Sequence, residues 1–376
     1  MIATGGPADV RIHFENLTDP RRGEPTYPLL NVVVMTLCAV VSGADDFVAI
    51  ARWSTKNRTW LARYLDLSEG IPSHDRFNAI FAAMNAREFE ICLLSWITSL
   101  HEITSGQVIA IDGKTLRRSY DAASSKSAIH MVSAWATMNH ISLGQVVVDA
   151  KSNEITAIPK LLDLIDVSGG MVTIDAMGCQ TEIIDKIVEK KADACIAVKK
   201  NQPNLYAAIE QHFDALVDTD FLDAKIRWMH SSEKGHGRDE CRTYAICPVP
   251  ESVKDLERWK SVRAIGMSTN ITVRDGKEQT EIRYYILTRY VSGKRFADAV
   301  RTHWGIENSL HWQLDVTFRE DDCRVRKGHS DANLSVIRRF AVSMLKNEKS
   351  EKLGIKNKRL LAAWDTDYLA KVLFGS

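Results

Sequence analysis

Two short apolar runs that end in aspartate constrain this chain more than any other feature. Residues 108–119 read VIAIDGKTLRRS: an apolar run meets Asp112, then a glycine, then Lys114, Arg117 and Arg118. Residues 169–177 read GGMVTIDAM and close in the same way at Asp175. Both are expected to be strands of one α/β sheet. In an open sheet of that class, groups at the carboxyl ends of strands line the ligand crevice. Each run is too apolar to tolerate an unpaired charge nearby, so the acids need a metal, a cation or a hydrogen-bond donor. Oxygen ligands at strand ends suit Mg²⁺ or Mn²⁺. Either aspartate could instead start a turn or cap the next helix; the pair favours a metal more than each acid does singly.

The order of elements supports such a sheet. Residues 25–104 read as helical, with Ser73 as an N-cap. Ser73, His74 and Asp75 are adjacent, point in different directions and cannot form a catalytic triad. From about residue 105 the pattern changes to strand, hairpin (turning near Asn139-His140), helix, strand, helix, strand, helix, which predicts a mixed parallel and antiparallel sheet. Residues 218–292 return to β character, with an Asp-Gly hairpin signal in RDGKE, and a helix is expected from about Lys294 to Leu314. Two domains are expected, a helical one over 1–104 and an α/β one over 105–376.

The run PLLNVVVMTLCAVVSGA is shorter than the roughly 20 residues of a membrane span and contains Asn31, so it is expected to be a buried helix. The N-terminus lacks a signal-peptide pattern. Seven scattered cysteines without a C-x-x-C pair suggest a reduced, intracellular protein without a zinc ribbon. Net charge is +1, so the whole-chain balance is neutral on nucleic acid. From Cys323 to Leu360, however, eleven cations face three anions. A polyanion partner and a solvated helical tail both fit that excess.

A third acid stands in VRTHWGIENSLHWQLDVTF. At about 100° per residue, Val300, Glu307 and Leu314 share one helix stripe, which would turn Glu307 toward the sheet. A metal shared with the two aspartates would explain a buried glutamate there, and so would an ion pair with Arg301 or Arg117. His303, Glu307 and His311 also share a face and could hold zinc. DGKT is not a phosphate-binding loop, because Val108 stands where the first glycine is required.

The motifs IAIDGKTLRRS, KSNEITAIPKLLD, TIDAMGCQ, AVKKNQPNL, GHGRDECR and HWGIENSLHWQLDVTFREDDCRVRKG occur in that order. Together the chain resembles, over residues 10–370, bacterial insertion-sequence DDE transposases of the H-repeat-associated (Rhs-linked) branch. The resemblance implies a ribonuclease-H-like fold with a β-rich insertion and a helical N-terminal domain. It implies Asp112, Asp175 and Glu307 as catalytic acids holding two Mg²⁺ or Mn²⁺ ions, with cleavage of DNA at element ends and strand transfer to target DNA. Lys114, Arg117 and Arg118 would then contact DNA, as would Lys199, Asn201, Gln202, His303, Arg324, Arg326 and Lys327, with His236 and Arg238 as further candidates. Related transposases carry tyrosine, arginine and lysine where this chain has Val300, His303 and Leu314; Asp315, Glu320, Asp321 and Asp322 therefore compete with Glu307. A bacterial cytoplasmic protein, without a membrane and acting as a dimer on DNA, would follow. A DNA-binding descendant without catalysis, or another metal-dependent nuclease on the same fold, remain as alternatives.

Overall fold

The computed structural model describes residues 10–100, 106–116, 128–148, 153–219, 225–235, 238–250, 253 and 258–374. Among them are nine strands: β1 (Val108–Thr115), β2 (His130–Ala136), β3 (Ile141–Val148), β4 (Met171–Ile174), β5 (Asp193–Val198), β6 (Arg227–Gly235), β7 (Arg238–Pro248), β8 (Ala264–Arg274) and β9 (Lys277–Leu287). The residues gather into two compact units. One comprises Met1–Thr104, Gly113–Ala150 and Glu307–Ser376; the other comprises Ser105–Asp112 and Lys151–Ile306.

In the second unit the strands lie in the order β1-β4-β5-β9-β8-β7-β6. β1, β4 and β5 are parallel, and β9 joins β5 antiparallel. The parallel strands are nearly continuous apolar runs, as expected where helices cover a sheet: Val108–Ile111 and Met171–Ile174 are buried throughout. Helix Thr181–Glu189 buries Ile183, Ile184 and Ile187, and helix Gly293–His303 buries Phe296, Ala297, Ala299 and Val300. β8 and β9 are buried near the core and exposed toward their shared turn. Asp275 and Gly276 form that turn, both with positive φ (51° and 72°), as a two-residue hairpin that matches strand twist requires. The mixed sheet, its β-rich insertion and the helical N-terminal segment make up the expected ribonuclease-H-like architecture.

The first unit is mainly helical. Its spine is Ser330–Asn347, buried along most of its length. It packs on Leu29–Val41, His74–Ala83 and Ala86–Leu100. Trp96 stacks on Phe340 with ring centres 5.1 Å apart, and Asn333 Nδ2 donates to the carbonyls of Phe81 and Met84. Ser73 caps its helix as expected, accepting from Arg76 N at 3.3 Å. Leu29–Val41 is the buried helix expected of the most apolar run. Among the described residues no helix is long and apolar enough to cross a membrane.

The basic C-terminal stretch is not a solvated tail. Arg338, Arg339, Lys358 and Arg359 are all buried. Lys358 pairs with Glu348 at 3.4 Å and Arg359 with Asp45 at 2.7 Å. Counting charge along the sequence therefore overstates what this segment offers to a polyanion.

Candidate active site

In the sheet unit, Ile111 pairs with Ile174 on the last rung between β1 and β4. Asp112 and Asp175 each follow directly, on neighbouring parallel strands that lie about 4.8 Å apart. Asp175 stands just past the end of β4, whereas β1 does not end at Asp112 as expected but runs on to Thr115, beyond its pairing with β4. Both are half-buried. Asp175 Oδ1 accepts from Met177 N at 3.0 Å and caps the turn Ala176–Gly178. That is the local capping role the sequence left open. It occupies only part of a carboxylate's accepting capacity, so capping and ligation are compatible. Gly178 is required here, because a Cβ would run into the Ile174 side chain.

Asn201 and Gln202 brace the same turn. Asn201 Nδ2 donates to Ala176 O at 2.6 Å, and Gln202 Nε2 donates to Cys179 O at 2.8 Å. Arg258 in turn donates to Gln202 Oε1 at 2.6 Å. Lys199, just before them, is exposed. His303 Nδ1 lies 3.1 Å from Thr173 Oγ1, two residues before Asp175 on the same face of β4. Burial pushes His303 down to about 4, while the Asp175 carboxylate pulls the other way. It is neutral at neutral pH and offers DNA no positive charge. Trp304 is exposed, with the Arg283 guanidinium 4.2 Å from its ring centre. Arg301 pairs with Glu233 at 2.5 Å, within the same unit.

Glu307 belongs to the helical unit. It is exposed, whereas Val300 and Leu314 are buried, so the expected core-facing stripe does not hold. The α-helix ends at His303, and Glu307–His311 and Gln313–Thr317 are π-helical. Wider turns break a periodicity reckoned at 3.6 residues. Phe318 N donates to Gln313 O at 3.1 Å, the five-residue step of such a turn. Turns of this kind are rare and frequent at functional sites.

The rival acids have other partners. Lys114, only 8% exposed, donates to Asp315 Oδ1 at 2.5 Å and to Glu320 Oε2 at 2.8 Å. Glu320 is fully buried and held down to about 2: the Arg339, Lys114 and Arg338 charges outweigh burial, which alone would raise it. Asp322 lies 3.4 Å from Arg319. Lys114 therefore does not stand open to a phosphate, as its place after Asp112 suggested; this ion cluster is invisible to local spacing. Arg324, Arg326 and Lys327 line a cleft of about 960 Å³ in the helical unit, with His74 and Asn78 on its wall. Arg117, Arg118 and His236 lie outside the described residues, as does the side chain of Arg238.

Among the described residues, no three His, Cys, Asp or Glu side chains are gathered as a ready metal-ligand set. That includes the zinc arrangement considered for His303, Glu307 and His311. The Asp112–Asp175 pair still fits a hard divalent cation in kind: oxygen donors, partly accessible, of the sort that hold Mg²⁺ with one or two carboxylates plus water and substrate phosphate.

Residues 11–97 match the family model described as DDE_Tnp_1-associated, and residues 103–345 match the Transposase DDE domain. The chain is 39% identical over 355 residues to the "H repeat-associated putative transposase YhhI" of Escherichia coli strain K12, covering 93% of each chain. It is 40% identical over 357 residues to the "Putative transposase YncI" of Escherichia coli O157:H7, covering 94% of this chain and 91% of that one. Two aspartates just past the last rung between neighbouring parallel strands, a β-rich insertion and these matches lead to one conclusion: the chain belongs to the DDE transposase family, among its H-repeat-associated members.

Proposed function

We propose that the chain cleaves phosphodiester bonds at the ends of its mobile element and joins those ends to target DNA, using Asp112, Asp175 and Glu307 as metal-holding acids. One observation carries the reading: β1 and β4 run parallel and in register, and each presents an aspartate directly after the last rung between them. Mg²⁺ or Mn²⁺ held there would supply an activated water or DNA 3′ hydroxyl and neutralise charge at the scissile phosphate. The chain's own part is to fix the acids. Asp175 is set by its cap to Met177 N and by the Asn201 and Gln202 braces. His303, neutral and half-buried, packs beside Thr173 on β4, two residues before Asp175. No side chain need form a covalent bond to DNA. Lys199 and the cleft residues Arg324, Arg326 and Lys327 supply phosphate contacts. Holding two element ends together would call for two copies of the chain, in the bacterial cytoplasm where its DNA lies.

The test uses end-containing duplex DNA in Mg²⁺ or Mn²⁺, with wild type, Asp112→Asn, Asp175→Asn and Glu307→Gln. Loss of one metal ligand forfeits several kcal/mol of transition-state stabilisation, roughly a thousandfold in rate. Each variant should lose cleavage to about that extent while binding the DNA with unchanged affinity. Wild-type rates in either aspartate variant would sink the assignment. Wild-type binding without cleavage in both metals would leave a DNA-binding protein of transposase descent.

A further inference from the structure

We propose that Lys114 is a positioning residue that fixes the π-helical segment beginning at Glu307, by bridging Asp315 and Glu320. This rests on the reading of Glu307 as the third acid. Glu320 is the fixed end of the bridge. Its Oε1 accepts from Ser335 Oγ at 2.7 Å and lies 3.5 Å from Arg339 and 4.0 Å from Arg338, all on the buried helix Ser330–Asn347. Its Oε2 holds Lys114. Lys114 then reaches Asp315 on the second π-helical turn, eight residues after Glu307.

Buried ion pairs contribute little net stability, because desolvation offsets their attraction; setting a register is the role best attested for them. A register needs setting here. A π-helical turn can revert to the α form by slipping one residue, and each residue of slip swings a side chain by about 100°. An exposed glutamate on such a segment has no packing of its own to hold its direction. Asp315, anchored through Lys114 to the spine helix, selects one register. Lys114, Asp315 and Glu320 all belong to the helical unit that carries Glu307.

The full-length protein is tested as Asp315→Asn, Lys114→Met and Lys114→Arg. Asp315 is partly exposed, so its variant should fold even if Lys114→Met does not. Groups that orient metal ligands typically change affinity or activity by about 10–100-fold. Asp315→Asn and Lys114→Met should each slow cleavage at saturating DNA by about that factor, and Lys114→Arg should recover most of it. Mn²⁺ binding, followed by the electron paramagnetic resonance of the free ion, should weaken in Asp315→Asn as in Glu307→Gln, with melting temperature, DNA affinity and its salt slope unchanged. A merely structural cluster would alter melting temperature without altering Mn²⁺ binding, and that result overturns the proposal. So does a fall of about 0.9 in the salt slope for Lys114→Met alone, which would make Lys114 a phosphate contact after all. If wild type fails to cleave, the proposed function fails first, and this inference with it; if wild type cleaves and both variants match it, only the positioning role falls.

Discussion

The side chains that set Asp175 are amides, and their number of bonds makes the effect of removing one tractable. Asn201 donates to the carbonyl of Ala176 and Gln202 to that of Cys179, so the first residue of the turn and the residue that closes it are both pinned. The Ala176 carbonyl also accepts from Cys179 N at 3.1 Å, so deleting the Asn201 donor forfeits one net hydrogen bond, about 1 kcal/mol, rather than leaving the carbonyl bare. Asn201→Ala should therefore lower stability by about 1 kcal/mol in urea and slow cleavage by roughly tenfold or more through a loosened Asp175, with DNA affinity unchanged. Weaker DNA binding with an intact cleavage rate at saturation would make Asn201 a DNA contact, the role its family resemblance implied. Both readings start from the same motif, AVKKNQPNL; only the hydrogen bonds of the folded chain separate a residue that touches DNA from one that holds the turn beside it.

At the scale of elements, strands whose burial is uniform were legible, and elements governed by distant partners were not. β4, β5 and the first half of β1 announce themselves because covered parallel strands are apolar, and the Asp275-Gly276 turn because positive φ selects those residues; the continuation of β1 through Asp112–Thr115 carries no such signal. β6, with the sequence RWMHSSEKG, falls within the β-rich stretch but gives no strand signal of its own: it is a mostly exposed edge strand with little apolar alternation. The π-helical turns escaped because a stripe drawn at 3.6 residues assumes the very geometry that changes there. His311 closes the first of those turns and reports on it. Burial first, then the Arg339 and Lys114 charges, push it down to about 3, against the pull of Glu320. The unfolded chain, with histidine near 6.5, binds more protons between that pH and about 3. The neutral ring thus contributes stability above about pH 6.5 that is lost as pH falls, by about 1.4 kcal/mol per pH unit. Urea denaturation of wild type and His311→Gln at pH 7 and pH 5 should show their stability difference moving against wild type by roughly 2 kcal/mol. A constant difference would mean that His311 is accessible to protons in the folded turn.

The whole molecule carries a net charge of only +1, so its grip on DNA must come from where cations stand rather than from how many there are. Of the eleven in the basic stretch, Arg338, Arg339, Lys358 and Arg359 are buried in the helical unit and cannot release counterions from DNA. Arg324 and Lys327 are exposed on the wall of the large cleft. Three of the cleft's acids are already engaged: Asp46 caps its helix at Ala49 N, Asp45 holds Arg359, and Asp322 faces Arg319. Gly328 sets the wall against the end of helix His74–Ala83, where a Cβ would collide with Ala82 O, and His329 N donates to that same carbonyl at 3.0 Å. A rigid wall with two exposed cations should contact two phosphates. For duplex DNA the logarithm of affinity falls with that of salt by about 0.9 per phosphate neutralised. Arg324→Ala combined with Lys327→Ala should therefore reduce the slope by about 1.8, and weaken binding most at low salt. Lys352 and Lys356 lie in the same stretch, exposed but outside the cleft lining; their double alanine variant should leave the slope unchanged. Equal loss in both pairs would mean that DNA responds to the general charge of this region, and the cleft would lose its claim as a seat for the backbone.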